Sequence, residues 1–187
     1  MHFATILITT LPTATLAVDI YQYTGSDCNG MGYRCAFIPF NTCCCDFSNP
    51  RDLGSLQIRQ RSDHYGNAAA LFRKDGDKLC GTFFEYTELN LACSRPKAGG
   101  TFGGTAALQI PDNSVVDADA RDLEVKTCEN TMVGDAVYTA GGTTYVISNG
   151  KTEGLAEMGL SMPNTDIELL KYFMMHADEV IDMGSGR

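Results

Sequence analysis

Residues 68–86 read AAALFRKDGDKLCGTFFEY and carry the plainest strand signal in the chain. Residues 68–73 and 79–86 are two runs rich in apolar and aromatic side chains, and residues 74–77 (Lys-Asp-Gly-Asp) separate them. Asp-Gly is a favoured pair for a two-residue hairpin turn, because both residues tolerate the positive φ that such turns need. The stretch therefore predicts an antiparallel β-hairpin.

Further strand candidates lie on both sides of this hairpin. They are residues 18–23, 33–40 and 56–60 before it, and residues 136–140 and 143–147 after it. The last two flank Gly141-Gly142, which predicts a second hairpin. Short strands at regular spacing with turns between them indicate a β-sandwich or small barrel.

The last predicted element is a helix that begins after Thr165 and ends before Gly184. Thr165 and Glu168 have the spacing of a capping box. Apolar residues recur at helical spacing and predict one stripe that packs on the fold. The stripe consists of Ile167, Leu170, Phe173, Met174, Ala177 and Ile181.

Composition divides the chain into four parts. Residues 1–17 form an apolar leader, residues 18–93 hold seven of the eight cysteines, residues 94–104 contain four glycines and a proline, and residues 105–187 hold the second hairpin and the helix. The Gly-rich part is predicted to be a linker. The predicted fold class is α+β, mainly β: a disulfide-stapled antiparallel Greek-key-like β-sandwich with a smaller C-terminal hairpin-plus-helix part.

The leader is predicted to be a signal peptide, and the protein is therefore expected to be secreted. Residues 1–17 contain no acidic residue and no Lys or Arg, and the small residues Thr15 and Ala17 precede a cut after Ala17 at positions −3 and −1. The alternative is a buried N-terminal strand. The apolar run is shorter than the roughly 20 residues that span a bilayer, so no membrane span is expected.

All eight cysteines follow the predicted cut, and an even number suits pairing in an oxidising compartment. They are Cys28, Cys35, Cys43, Cys44, Cys45, Cys80, Cys93 and Cys128. Neighbours in an extended run point to alternate sides, so the three adjacent cysteines are expected to pair with different partners. Zinc is the rival interpretation, but the chain has no C-x₂-C pair and its three histidines are scattered, so neither a metal nor another cofactor is expected.

Two resemblances arise within residues 18–93. Asp27-Cys28-Asn29-Gly30, followed by Cys35 and the cysteine run at Cys43, resembles the start of small secreted cysteine-rich proteins of mushroom-forming fungi, which have no assigned activity. The segment from Tyr21 or Tyr23 to Gly30 is similar to the aromatic–glycine corner of the βγ-crystallin Greek-key fold, with Cys28 in the place of the second aromatic residue. This second resemblance implies a Greek-key sandwich. The family's calcium motif is not carried over, because Asp112-Asn113 is followed by Val116-Asp117.

Charge limits the class of partner. The chain has 14 basic and 23 acidic residues, a net charge of −9. An acidic protein is repelled by nucleic acid phosphates and anionic membranes, so neither is expected as a partner. The partner is expected to be an extracellular ligand, either a glycan or a protein.

One group of residues is a candidate ligand site: Phe83, Phe84, Glu85, Tyr86 and Glu88. These glutamates are the ones set among aromatic residues, and aromatic rings stack on sugars. The alternative is a strand whose phenylalanines pack inward and whose glutamates are solvated.

Other constellations fail their geometric tests, so no catalytic residue is predicted. Ser62-Asp63-His64 places three triad residue types in a row, but triad members must converge with the histidine between the other two. Asp117, Asp119 and Asp122 do not fit an EF-hand loop, which needs Gly at position six and Glu at position twelve. A looser calcium site within residues 112–124 stays open.

The sequence therefore favours a secreted cysteine-rich binding or interaction protein, related to a cell surface or to glycans. The alternative is a secreted hydrolase of a cell-wall polymer that uses two carboxylates about 5–10 Å apart.

Cys128 is predicted to form a disulfide with a cysteine in residues 18–93, because residues 105–187 hold no other cysteine. In the chain-entropy model the loss of a bridge that closes so long a loop costs roughly 4–5 kcal/mol. Peptide mapping under non-reducing conditions checks the pairing. A covalent dimer linked through two copies of Cys128 would contradict it.

Overall fold

The computed structural model describes residues 17–39, 42–45, 52–60, 67–88, 93–109, 130–148 and 166–182, which form two β-sheets and one helix. The strands are β1 (Ala17–Tyr23), β2 (Gly30–Pro39), β3 (Thr42–Cys45), β4 (Ser55–Gln60), β5 (Asn67–Asp75), β6 (Lys78–Glu88), β7 (Gly104–Gln109), β8 (Asn130–Val133), β9 (Asp135–Ala140), β10 (Thr143–Ile147) and β11 (Glu179–Asp182), and the helix is α1 (Asp166–His176). The predicted fold class, a mainly β sandwich with disulfides and a C-terminal helix, is confirmed. Apart from Ala17, the predicted signal peptide lies outside the described residues.

The chain crosses repeatedly between the two sheets. Sheet A has the strand order β11-β10-β9-β2-β1-β4 and is antiparallel, whereas sheet B has the order β6-β5-β7-β3-β8 and contains one parallel pair, β3 with β8. Strands on both sides of the Gly-rich segment contribute to both sheets, because β9 pairs with β2 and β7 pairs with both β3 and β5. The two halves of the chain therefore share their sheets.

Both predicted hairpins are present. Asp75 pairs with Lys78, so the loop residues are Gly76-Asp77, one position later than predicted. Gly76 has φ +58° as the first loop residue, which is the requirement of a type II′ turn. Gly141 and Gly142 join β9 to β10 with φ values of +58° and +84°, as a type I′ turn requires.

The main core lies between the sheets and draws on both halves of the chain. Its buried members are Val18, Ile20, Tyr33, Cys35, Ile38, Cys44, Leu53, Leu56, Ile58, Ala69, Leu71, Phe102 and Ala107. Phe102 belongs to the Gly-rich segment, which is fastened to the sandwich by backbone bridges from Phe102 to Leu53 and from Ser94 to Leu56. The segment predicted as a linker thus supplies a core side chain.

Helix α1 packs on β9 and β10 through Leu169 and Phe173, which contact Met31, Tyr138 and Ile147. The predicted helix was too long, because the structure ends it at His176 and places Glu179–Asp182 in strand β11. Just after the helix, the backbone N–H of Asp178 donates to the carbonyl of Val146. The next residues form β11, which pairs antiparallel with the edge of β10.

The predicted apolar stripe was also partly wrong. Ile167 and Met174 are 64% and 58% exposed, and Ile181 lies on β11 rather than on the helix. The buried face instead combines Leu169 with Phe173, the one member of the predicted stripe that is fully buried. The predicted capping residue Thr165 lies outside the described residues.

Phe173→Ala is expected to lower the free energy of unfolding by about 3–5 kcal/mol, because it removes a fully buried ring from the contact between α1 and sheet A. Met174→Ala, at the next and exposed position, is the matched control and is expected to change it by less than about 0.5 kcal/mol. Urea denaturation measures both. Similar effects of the two substitutions would show that α1 does not dock through Phe173.

Candidate functional site

The sequence-predicted ligand residues lie on β6, the edge strand of sheet B, but on two different faces of it. Phe83 and Tyr86 lie on the outer face, with ring centroids 4.4 Å apart, and Phe83 meets the buried Phe72 edge-on at 6.2 Å. Phe84 packs against the main core, where the guanidinium of Arg73 lies 4.8 Å from its ring centroid. An irregular register in the β5–β6 pairing near Phe84 contributes to this division.

The side chain of Glu85 has a structural role. Its carboxylate accepts hydrogen bonds from the backbone N–H of Lys97 at 2.5 Å and of Ala98 at 3.0 Å. These two residues are the central pair of a turn in which Gly99 donates to the carbonyl of Pro96. Glu85 therefore fastens the Gly-rich segment to β6. Glu88 pairs through its backbone with Ala68.

A cavity of about 440 Å³ opens between the β1–β2 turn, the β9–β10 hairpin and α1. Its apolar side chains are those of Met31, Tyr138, Ala140 and Leu169, and its polar groups come from Thr24, Gly25, Asn29, Gly30, Thr139 and Gly141. The described residues that line this cavity include no Asp, Glu, His, Lys or Arg. The volume falls in the range of ligand pockets, about 300–1,000 Å³.

The β1–β2 turn beside this cavity is held by a bridge and a hydroxyl. The disulfide between Cys28 and Cys93 ties the turn to the segment after β6. Ser55 accepts a hydrogen bond from the backbone N–H of Cys28 at 3.0 Å and donates one to the carbonyl of Gly25 at 2.7 Å. These contacts fix the position of Asn29, which lies between Cys28 and β2.

The β9–β10 hairpin is anchored on its other side by a buried hydroxyl network. Thr139 donates to the phenol of Tyr23 at 3.2 Å, and the hydroxyls of Thr139 and Thr144 are 2.7 Å apart. Both walls of the cavity are thus built on β-structure with satisfied polar groups, which favours a preformed pocket.

A second cavity of about 340 Å³ lies at the C-terminal end of α1. The rings of Tyr172 and His176 stack there with centroids 4.3 Å apart. Asp178 also lines it, and its carboxylate accepts the backbone N–H of Ser148 at 2.9 Å. The carboxylate therefore clamps the end of β10.

Arg34 is a buried cation on the outer face of sheet A, between the buried Asp19 and the half-exposed Glu179. Its guanidinium bonds to Asp19 at 3.3 Å and to Glu179 of β11 at 2.5 Å, and lies 5.7 Å from the ring centroid of Tyr21. Burial alone would lower the pKa of Arg34, but the hydrogen bond that Arg34 donates to Glu179 and the neighbouring charges raise it above its ordinary value. Arg34 therefore stays charged and ties β11 to the sheet.

The cysteine run behaves as the alternation of an extended strand predicts. Cys44 points into the main core and bonds to Cys35, whereas Cys43 points to the opposite face and bonds to Cys80. Cys45 lies on the same face as Cys43, and the sulfurs of Cys43, Cys45 and Cys80 all lie within 4.8 Å of one another. Cys128 lies outside the described residues, so its predicted partner stays a prediction.

Comparison of the chain with models of known protein families, with curated proteins and with solved structures found no match. Among the described residues, no helix is long and apolar enough to cross a membrane. The two resemblances noted within residues 18–93 therefore stay expectations.

Sequence reasoning missed the cavity residues, because they come from four separate segments. The one local signal was the pair of turns at Cys28-Asn29-Gly30 and Gly141-Gly142, which mark the two loops that meet at the cavity mouth. The stretches 61–66 and 110–129, which hold the predicted Ser-Asp-His turn and the acidic stretch, lie outside the described residues.

Tyr21 predicts a loss of stability at alkaline pH. Burial raises the pKa of Tyr21 to about 12, although the charge of Arg34 opposes the shift. The neutral phenol is favoured in the folded state, so stability is fully present below pH 10 and falls as the pH rises from about 10 to about 12. A shift of about two units corresponds to roughly 2–3 kcal/mol at most.

Urea denaturation at several pH values measures this slope. Tyr21→Phe is expected to make the free energy of unfolding less dependent on pH in this range, because it removes the proton that the folded state retains. Identical slopes for the wild type and Tyr21→Phe would contradict the assignment.

Proposed function

We propose that the protein is a secreted, non-enzymatic binding protein that seats an uncharged glycan residue in the 440 Å³ cavity between the β1–β2 turn, the β9–β10 hairpin and α1. One observation carries the proposal: the described lining combines apolar side chains with uncharged hydrogen-bonding groups. Sugars present the same combination, hydroxyls around apolar C–H faces. Burying a charged ligand there would lack a compensating charge from these lining residues and would be costly.

The polar rim supports this ligand class. Asn29 is exposed beside the cavity; its side-chain amide donates to the carboxylate of Asp27 at 3.3 Å and retains a second N–H donor and a carbonyl acceptor. Thr24 adds a hydroxyl that donates to the carbonyl of Met31 at 3.1 Å. An oxygen in that arrangement keeps its acceptor capacity for a ligand hydroxyl. A neutral sugar ring can therefore be oriented by these groups while one face rests on Met31 or Leu169.

Disulfides support the secreted part of the proposal. Among the seven cysteines that the structure describes, three bridges join six, and such bridges persist in oxidising compartments. The bridge between Cys28 and Cys93 also stiffens one wall of the cavity, which lowers the entropic cost of binding.

The alternative of a polymer hydrolase has less support from the arrangement of carboxylates. Glycosidases need two carboxyl groups that face one bond. Among the described residues that line the two cavities, Asp178 is the one carboxylate, and it is engaged by the N–H of Ser148. This arrangement favours binding over hydrolysis.

A glycan array probed with the oxidised full-length protein tests the proposal, followed by calorimetry with the best neutral oligosaccharide. Asn29→Ala is expected to weaken binding roughly two- to tenfold, the value of one hydrogen bond. Ala140→Leu is expected to weaken it further, because the three added carbon atoms occupy part of the space that the sugar would take. Asn130→Ala, an exposed asparagine of β8 on the other sheet, is the matched control and should bind like the wild type.

Two results would overturn the proposal. One is undiminished binding by Ala140→Leu, which would place the ligand elsewhere. The other is hydrolysis of an array glycan by the wild type, read as new reducing ends, which would favour the hydrolase.

A further inference from the structure

The bridge between Cys28 and Cys93 is the most accessible disulfide in the part of the chain that the structure describes. Cys93 is exposed, and Cys28 is 7% exposed. Cys35 and Cys44, which form the bridge across the main core, are both fully buried, and the third bridge joins one buried and one partly buried cysteine. Thiol–disulfide exchange depends on access to a bridge sulfur, so a reductant is expected to open the bridge at Cys93 first.

This bridge holds one wall of the 440 Å³ cavity. The lining residues of that wall belong to the β1–β2 turn and to the first position of β2, and they are Thr24, Gly25, Asn29 and Gly30. Cys28 precedes Asn29 in the same turn. At the other end of the bridge, Ser94 exchanges two backbone hydrogen bonds with Leu56 of β4, at 2.8 and 2.9 Å. The end at Cys93 therefore stays anchored when the S–S bond opens, and the turn is the part that gains freedom.

The backbone of Cys28 is strained in the observed turn. Its φ of +54° lies in the left-handed region, which residues with a Cβ atom rarely adopt. Such conformations persist when the surrounding structure enforces them. Besides the bridge, the hydroxyl of Ser55 accepts the N–H of Cys28 at 3.0 Å and donates to the carbonyl of Gly25 at 2.7 Å. Opening the bridge leaves these two hydrogen bonds to resist relaxation of the turn, and relaxation would move Asn29.

We propose that the bridge between Cys28 and Cys93 is a thiol-exchange site for a dithiol reductant, and that its opening lowers the affinity of the cavity by releasing the β1–β2 turn. The first part rests on the accessibility of the bridge, and the effect on affinity rests on the function proposed above. In the bridged state the turn is ordered before a ligand arrives. In the reduced state the turn must be ordered during binding, and that entropic cost weakens the complex. The bridge thus acts as a redox switch on the cavity.

The exchange balances with one dithiol for the bridge. A thiolate of the reductant attacks the sulfur of Cys93, the bond between Cys93 and Cys28 breaks, and Cys28 leaves as a thiolate that takes up a proton. The second thiol of the reductant then attacks the mixed disulfide, Cys93 leaves and takes up a proton, and the reductant departs as its own disulfide. Two electrons and two protons pass to the protein. The Cys28 sulfur lies 3.3 Å from the carbonyl oxygen of Leu56, so its new S–H group gains a weak hydrogen bond in place of the covalent bond.

Differential labelling of the oxidised full-length protein tests the exchange site. The protein is treated under native conditions with increasing amounts of dithiothreitol, and the thiols that form are alkylated and located by peptide mapping. The labels on Cys28 and Cys93 are expected to appear together and before any other label. Cys35 and Cys44 are the internal control, since their bridge lies in the core and should stay closed until the protein unfolds.

The release of the turn has a readout that needs no ligand. In the selectively reduced protein, hydrogen exchange is expected to speed up at residues 24–31, whereas residues 136–147, which hold the hairpin of the opposite wall, should keep their protection. Calorimetry with the neutral oligosaccharide that binds best on the array is expected to show about tenfold weaker binding. Removal of dithiothreitol and reoxidation should restore the affinity. The double variant Cys28→Ser/Cys93→Ser, which cannot form the bridge, should bind like the reduced wild type.

Labelling of either of the other two bridges before Cys93 would overturn the exchange site, because access would then not select this bridge. Unchanged hydrogen exchange at residues 24–31 after selective opening, or equal affinities of the oxidised and reduced forms, would overturn the switch, since the turn would be held without the bridge. Failure of the oxidised protein to bind any array glycan would contradict the proposed function instead. The order of labelling and the hydrogen exchange would still decide the exchange site and the release of the turn.

Discussion

The bond between Cys35 and Cys44 is the constraint on which the arrangement of the two sheets depends. Cys35 lies on β2 of sheet A and Cys44 on β3 of sheet B, so the bond crosses the main core. The side-chain amide of Gln22 donates to the carbonyl of Cys44 at 3.0 Å and adds a second link at the same place. The bond spans nine positions of sequence and contributes about 2.5 kcal/mol in the chain-entropy model. Its larger effect is on direction: once Cys44 points inward, Cys43 and Cys45 must point outward.

The parts of the fold that local chemistry determines could be predicted from the sequence. Alternating runs and glycine turns identified β1, β2, β4 and both hairpins, because side-chain period and turn geometry are properties of a few adjacent residues. Strand β3 was not predicted, since Thr42-Cys43-Cys44-Cys45 is buried on both faces and shows no alternation of polarity. Strand β7 was hidden because it follows directly on the Gly-rich segment.

The C-terminal end shows how tertiary contacts override a periodic pattern. Ala177 and Ile181 continue the helical spacing of α1, so the sequence predicted a longer helix. The edge of β10 offers unpaired backbone groups, and the residues after Asp178 bond to them instead. The cavity could not be predicted for a related reason, since Asn29, Tyr138 and Leu169 meet only when β2, β9 and α1 are assembled. The ligand site that the sequence predicted consisted, in contrast, of neighbouring residues on β6. The structure divides these residues between the two faces of that strand.

Buried charge fixes the last strand in the same way that the bond of Cys44 fixes β3. Arg34 on β2 forms ion pairs with Asp19 on the neighbouring β1 and with Glu179 on β11, which lies three strands away in sheet A. The pair of Arg34 and Glu179 adds little net stability, because desolvation of the buried guanidinium offsets the attraction and the Glu179 side chain is 51% exposed to screening by solvent. The pair instead helps to fix the position of β11, because Glu179 reaches Arg34 when β11 lies antiparallel to β10 in the observed register.

The disulfides and the ion pairs of Arg34 each hold a different region of the fold in place. Cys28 and Cys93 fix the turn beside the cavity, Cys35 and Cys44 fix one sheet on the other, and Arg34 fixes the strand that follows α1. Each of the first two bridges has no third sulfur beside it among the described residues, whereas Cys43 and Cys80 share their surroundings with Cys45.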